Sequence, residues 1–173
     1  MAESLAQPLD KADLLAKMQA SYNELRAATA AVPPDNLDTV HDVGGWTVAD
    51  HLAHVAAWER WKIALLRGTP LPDSLGVDRA TYEADDTDAI NAVIHAASAG
   101  VSPGVVMATS ERTHADLMAL ISTFSDDDLR QPYSRFLPNA PGVDGDPTVL
   151  ALCAYTIEHV AEHTELLRAM RPA

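Results

Sequence analysis

The chain has 173 residues and a net charge of −13, with 25 acidic against 12 basic side chains. Apolar residues make up 47%, too many for a disordered chain and enough for one core, so residues 1–173 are expected to form a single domain. One cysteine excludes an intrachain disulfide and a Cys-rich zinc knuckle, and the acidity argues against a nucleic-acid partner.

The longest apolar run, Val149–Tyr155, is far short of the ~20 residues that span a bilayer. The opening Met1-Ala2-Glu3-Ser4 lacks the basic and apolar parts of a secretory leader. The expectation is therefore a cytoplasmic protein with no membrane association. Thirty residues are Ala, which loses no side-chain entropy in a helix, and no segment alternates with the period of a strand.

The first helix is expected from about Asp10, a capping residue, to Ala31, where Pro33-Pro34 stops it. Leu14, Met18, Tyr22, Leu25 and Thr29 share one face of it. A polar loop leads to Thr47, with Asp50 three residues on, the signature of a helix start. The second helix then runs over Val48–Arg67 and ends at Gly68. A third stretch, Asp78–Ala99, is acidic in its middle and is expected to break near Asp86–Thr87. Ser102-Pro103 opens a fourth helix reaching about Thr123. Residues 131–147 hold four prolines and two glycines and read as a long loop, either a lid or a spacer. Thr148 opens the last helix, which reaches about Met170. The fold class is all-α, an antiparallel four-helix bundle with a long loop before the last helix.

Histidines carry the chemistry. On a wheel of ~100° per residue, Leu152, His159, His163, Leu166 and Met170 fall within about 60°. Glu158, Glu165 and Arg168 take the opposite side. Two imidazoles one turn apart in an apolar seam reach a common ion, and neutral His is a favoured metal ligand. On the second helix His51, His54, Trp58, Trp61 and Leu65 form another seam, from which periodicity alone does not choose between His51 and His54. Three imidazoles would leave coordination positions open for water or substrate. Glu59 falls on an apolar arc, which marks it as a buried carboxylate with a task or as a residue exposed by tilt. Glu162 flanks the last seam, either as a solvated surface residue or as a base within reach of the site. His159-Val160-Ala161-Glu162-His163 matches the H-x-x-E-H pattern of inverzincins, but too few residues follow for their distant Glu ligand. His41, His95 and His114 read as loop, surface or boundary residues, and Cys153 as a small core residue.

Trp46-Thr47-Val48-Ala49-Asp50-His51-Leu52-Ala53-His54, with the later Glu158-His159-Val160-Ala161-Glu162-His163, resembles the DinB superfamily of four-helix bundles. Ser125-Asp126-Asp127-Asp128-Leu129 after a helix end belongs to the same pattern, and the chain is most similar to the DfsB group. The resemblance implies an up-down-down-up bundle, often a homodimer. It also implies a divalent metal (zinc, nickel or iron) on His54, His159 and His163. Relatives include thiol-dependent transferases and a hydrolase. The implied function is thus a metal-dependent small-molecule enzyme of detoxification or resistance type, with a low-molecular-weight thiol as a second cofactor. Glu162 would be its catalytic residue, and His51, Trp58, Glu59 and Tyr155 would contact substrate. The competing reading is a non-catalytic bundle that binds or sequesters a small ligand.

Overall fold

The computed structural model describes residues 10–137 and 146–170. Eight helices follow one another there: α1 Lys11–Ala30, α2 Val48–Arg67, α3 Leu71–Leu75, α4 Arg79–Glu83, α5 Thr87–Ser98, α6 Pro103–Ser122, α7 Asp126–Leu129 and α8 Val149–Ala169. No named strand occurs among the described residues; two isolated bridges, His41 with Thr47 and Pro132 with Thr148, pin loop ends to helix starts.

The ends of these helices follow from local chemistry. Asp10 caps α1 by accepting from the Asp13 amide. Thr47 and Asp50 form a reciprocal capping box at α2, and Gly68 closes that helix in the left-handed conformation, φ 64°. The expected break in the third stretch separates α4 from α5, and the Asp86 side chain caps α5. The short α3 falls where no helix is expected, between Gly68 and the third stretch, in a segment that holds Pro70 and Pro72. Pro72 in fact sits in its first turn, where a missing N–H costs nothing. Among its described residues the loop expected over 131–147 holds a 3-10 turn, Tyr133–Phe136; residues 138–145 lie outside those described.

The four long helices form a ring in which α1 packs on α8, α8 on α2, α2 on α6 and α6 on α1. The predicted face of α1 is buried throughout. Two apolar layers fill the ring. Tyr22, Leu25, Val48, Leu52, Val55, Val160 and Leu167 make one. Leu14, Met18, Leu66, Leu117, Ile121, Val149 and Cys153 make the other. Outside the ring, α3 and α5 lean on α2 through Leu75, Ile90, Ile94 and Ala57. Helix α2 is therefore enclosed on several sides. This is why even His51, His54, Glu59 and Lys62 are buried on it. Polar groups in such a position need partners, since each unpaired one costs about 1–3 kcal/mol.

Candidate metal centre

A cleft of about 660 Å³ opens between α2 and α8, closed at its sides by α5 and the 42–46 loop. At its base His54 from α2 meets His159 and His163 from consecutive turns of α8. His54 Nε2 lies 2.9 Å from His159 Nε2, which lies 3.2 Å from His163 Nε2. One nitrogen from each ring falls within 4.8 Å of the others. Burial holds all three rings well below the usual imidazole range, at about 3, helped by His159, His51 and Lys62 around His54, by His163 and Lys62 around His159, and by His54 and His51 around His163. They are neutral at pH 7 and ready to donate lone pairs.

His51 stands behind this trio. Its Nδ1 is 2.8 Å from His163 Nδ1 and its Nε2 is 3.2 Å from Asp42 Oδ2. The Asp42 carboxylate only accepts, so His51 Nε2 donates to it. Burial lowers the His51 pKa against the pull of Asp42, so the ring carries one proton and its Nδ1 accepts from His163 Nδ1. That bond leaves the His163 Nε2 lone pair turned toward the cluster. The loop holds the far end of the chain. Asp42 Oδ1 accepts from the Gly44 and Trp46 amides at 2.8 and 2.9 Å, and Gly45 takes φ 86° to make the turn. Burial alone would raise the Asp42 carboxyl; the Trp46 amide, the His51 ring and the Gly44 amide together hold it below its ordinary value.

The donor set fits a metal ion. At most one proton fits among three nitrogens this close, so at least two lone pairs face a common point. A tetrahedral site with metal–nitrogen bonds of roughly 2.0–2.1 Å keeps ligand nitrogens about 3.3 Å apart, close to the two distances that His159 makes with His54 and His163. His54 Nδ1 is buried and has no hydrogen-bond partner among the described residues, so this ring lacks the support that His51 gives His163.

Of the residues expected at the site, Trp58, Tyr155 and Glu162 line the cleft with the three histidines. Tyr155 is 53% exposed and stacks on His159 at 6.2 Å between centroids. Glu162 is exposed at the rim. Trp61, a member of the same α2 seam, lines the cleft too and donates to the Tyr82 hydroxyl. His51 and Glu59 do not line it. Glu59, 1% exposed, turns instead to His114 on α6, with Oε1 2.7 Å from His114 Nδ1. His114 is thus buried, not the surface or boundary residue expected from the sequence, and it stacks on Tyr22 at 3.9 Å. The signal was there: Val106, Ser110, Thr113, His114, Leu117 and Ile121 share a helical face, but three polar members hide its core role. Sequence reading also passed over Trp46, which packs on His51, His54 and His95, over Asp42, and over the buried cleft residue Lys62.

No helix among the described residues is long and apolar enough to cross a membrane. No curated protein matches the chain. Among solved structures, the colibactin self-resistance protein ClbS in complex with double-stranded DNA aligns with a TM-score of 0.74 at 13% identity, covering 97% of this chain and 99% of that one. DfsB, a sibling lethal factor precursor, aligns at 0.70 and 17% over 94% and 95%. An uncharacterised protein from Escherichia coli UTI89 aligns at 0.68 and 16% over 96% and 95%. The ClbS complex corrects the expectation of no nucleic-acid partner, because a protein of this fold is crystallised with DNA. Net charge is a sum over the whole surface, and contact with a phosphate backbone is decided by the local distribution of charge. The DinB superfamily model matches residues 4–167, nearly the entire chain, and with this fold and histidine pattern the protein belongs to the DinB superfamily.

Proposed function

We propose that this chain is a metal-dependent enzyme acting on a small electrophile, with His54, His159 and His163 holding a divalent ion. The observation that carries this reading is the convergence of three neutral imidazole nitrogens at the base of an open cleft. When bound, a divalent metal such as zinc, nickel or iron lowers the pKa of a coordinated water or thiol and so supplies a nucleophile near neutral pH. His51 and Asp42 hold His163 in the ligating tautomer. Glu162, at the rim, accepts the proton that the nucleophile loses. Trp58 and Tyr155 flank the electrophile and hold it at attacking distance. Glu59, buried against His114, takes no part in substrate contact. A low-molecular-weight thiol is the proposed co-substrate, detoxification or resistance the proposed role, and a homodimer the proposed assembly.

Titration of zinc, nickel and iron into EDTA-stripped protein tests the centre, with one ion per chain expected. Turnover of 1-chloro-2,4-dinitrobenzene with a small thiol tests the chemistry. If His159→Ala loses both the ion and turnover, the enzyme reading stands. Metal uptake with no turnover of thiol or water substrates by wild type would favour the sequestration bundle instead.

A further inference from the structure

Lys62 lies two turns along α2 from His54, on the stripe His54, Trp58, Lys62, and lines the same cleft. Its side chain is only 3% exposed. Among the described residues its ammonium forms no ion pair and donates no hydrogen bond; Cys153 and Glu59 act on it only through space. Neither completes a pair. Burial pushes the Cys153 thiol up to about 11, so it carries no charge at pH 7, and Glu59 makes no ion pair with Lys62, its Oε1 being engaged by His114 and its Oε2 having no hydrogen-bond partner among the described residues. Burial pushes the Lys62 pKa down, and an ammonium held this way costs several kcal/mol unless an anion joins it and favours the charged form. The cleft is the side from which an anion can arrive. The two acids of the cleft wall do not compete for the cation. Asp42 is engaged by His51 and two amides, and Glu162 stands out at the rim.

We propose that Lys62 anchors the anionic group of the cleft's ligand, and that this ligand is a small aromatic carboxylate. The aromatic part follows from the walls, where Trp58, Trp61 and Tyr155 offer flat apolar faces on both sides of the opening. The volume suits a molecule of this size. The inference rests on the proposed function only in taking this cleft as the ligand site. It does not require the metal.

The test uses 1-naphthoate and its uncharged partner 1-naphthamide. Binding is read from the fluorescence of the three tryptophans, Trp46, Trp58 and Trp61, all of which line the cleft. It is run on zinc-loaded and on EDTA-treated protein. Wild type is expected to prefer the carboxylate by about tenfold or more in both states, the size of a charge-assisted bond. Lys62→Met should bring the ratio to about one, while Lys62→Arg should keep most of the preference. Equal binding of the two compounds by wild type, no binding of either, or a preference that survives Lys62→Met would each overturn the proposal. Lys62→Arg guards against misreading a folding defect in the methionine variant. Failure here with normal zinc uptake leaves the metal centre intact. A Lys62-dependent preference in a protein that takes up no metal would sink the metal reading alone.

Discussion

Helix α2 carries two buried histidine-containing clusters on different faces, and they are built on opposite principles. On the cleft face His54 meets His159 and His163, all neutral, with nitrogens pointing at one another and no carboxylate among them. On the interior face Glu59 meets His114, an acid and a base 2.7 Å apart, with Tyr22 stacked on the ring and bonded to Ser110. Burial pushes the Tyr22 hydroxyl up to about 12, so it stays neutral. The interior pair sets a carboxylate oxygen against an imidazole nitrogen, although Glu59 Oε2 and His114 Nε2 stay buried without hydrogen-bond partners among the described residues. The cleft trio has no carboxylate against it, and a set of lone pairs beside an opening is what a ligand site looks like. Burial of a histidine is therefore uninformative by itself. What its nitrogens face decides between structure and function.

The sharpest way to break this comparison is to remove one histidine from each side. His159→Ala should lower zinc affinity at least about 100-fold in a competition titration, with helix content unchanged by circular dichroism. His114→Ala should leave zinc binding within about twofold of wild type but cost about 3–5 kcal/mol in urea unfolding, because Glu59 stays buried without its partner. The double variant Glu59→Leu with His114→Leu should recover much of that loss. If His114→Ala instead abolished zinc binding, the two clusters would have to be treated as one.

The support behind the cleft trio gives a smaller effect. Asp42→Asn removes the carboxylate that fixes the His51 proton, so the His163 tautomer is no longer enforced. Zinc affinity should fall about 10–100-fold, with stability of the metal-free protein changed much less. An unchanged affinity would mean that the Asp42–His51–His163 chain plays no part in ligation.

Acid separates the metal-free trio from ordinary histidines. Each of its rings has a folded pKa of about 3 against 6.5 unfolded, so the unfolded chain binds more protons in that interval. Stability of EDTA-treated protein should be full above pH 6.5 and decline as pH falls toward 3, by up to about 1.4 kcal/mol per pH unit for each ring that stays neutral. Urea midpoints at pH 7.5 and 5 measure it, and a flat profile would contradict the neutral trio. Least of all, Thr47→Ala removes one half of the α2 capping box and should cost about 1 kcal/mol, without altering the metal stoichiometry.

Much of this was legible in the amino-acid order. The start and stop of α2 were written in Thr47, Asp50 and Gly68, and the buried face of α1 in the spacing of Leu14, Met18, Tyr22, Leu25 and Thr29. His159 and His163 fell one turn apart because the helical period requires it. These are local properties, set by residues a turn or two away, and they survive whatever the rest of the chain does.

The period of a helix says which residues share a face, not which face meets which neighbour. Choosing His54 over His51 by periodicity was impossible for that reason; the packing of α2 on α8 aims one ring at the trio and the other at Asp42 and His163. The same limit hid the Glu59–His114 pair, 55 residues apart, and the enclosure of Lys62. The sequence by itself determined the helices, their caps and the presence of a histidine seam. The tertiary structure decided which polar groups were paired and which were left facing open space, because desolvation and pairing depend on contacts between segments far apart in the chain.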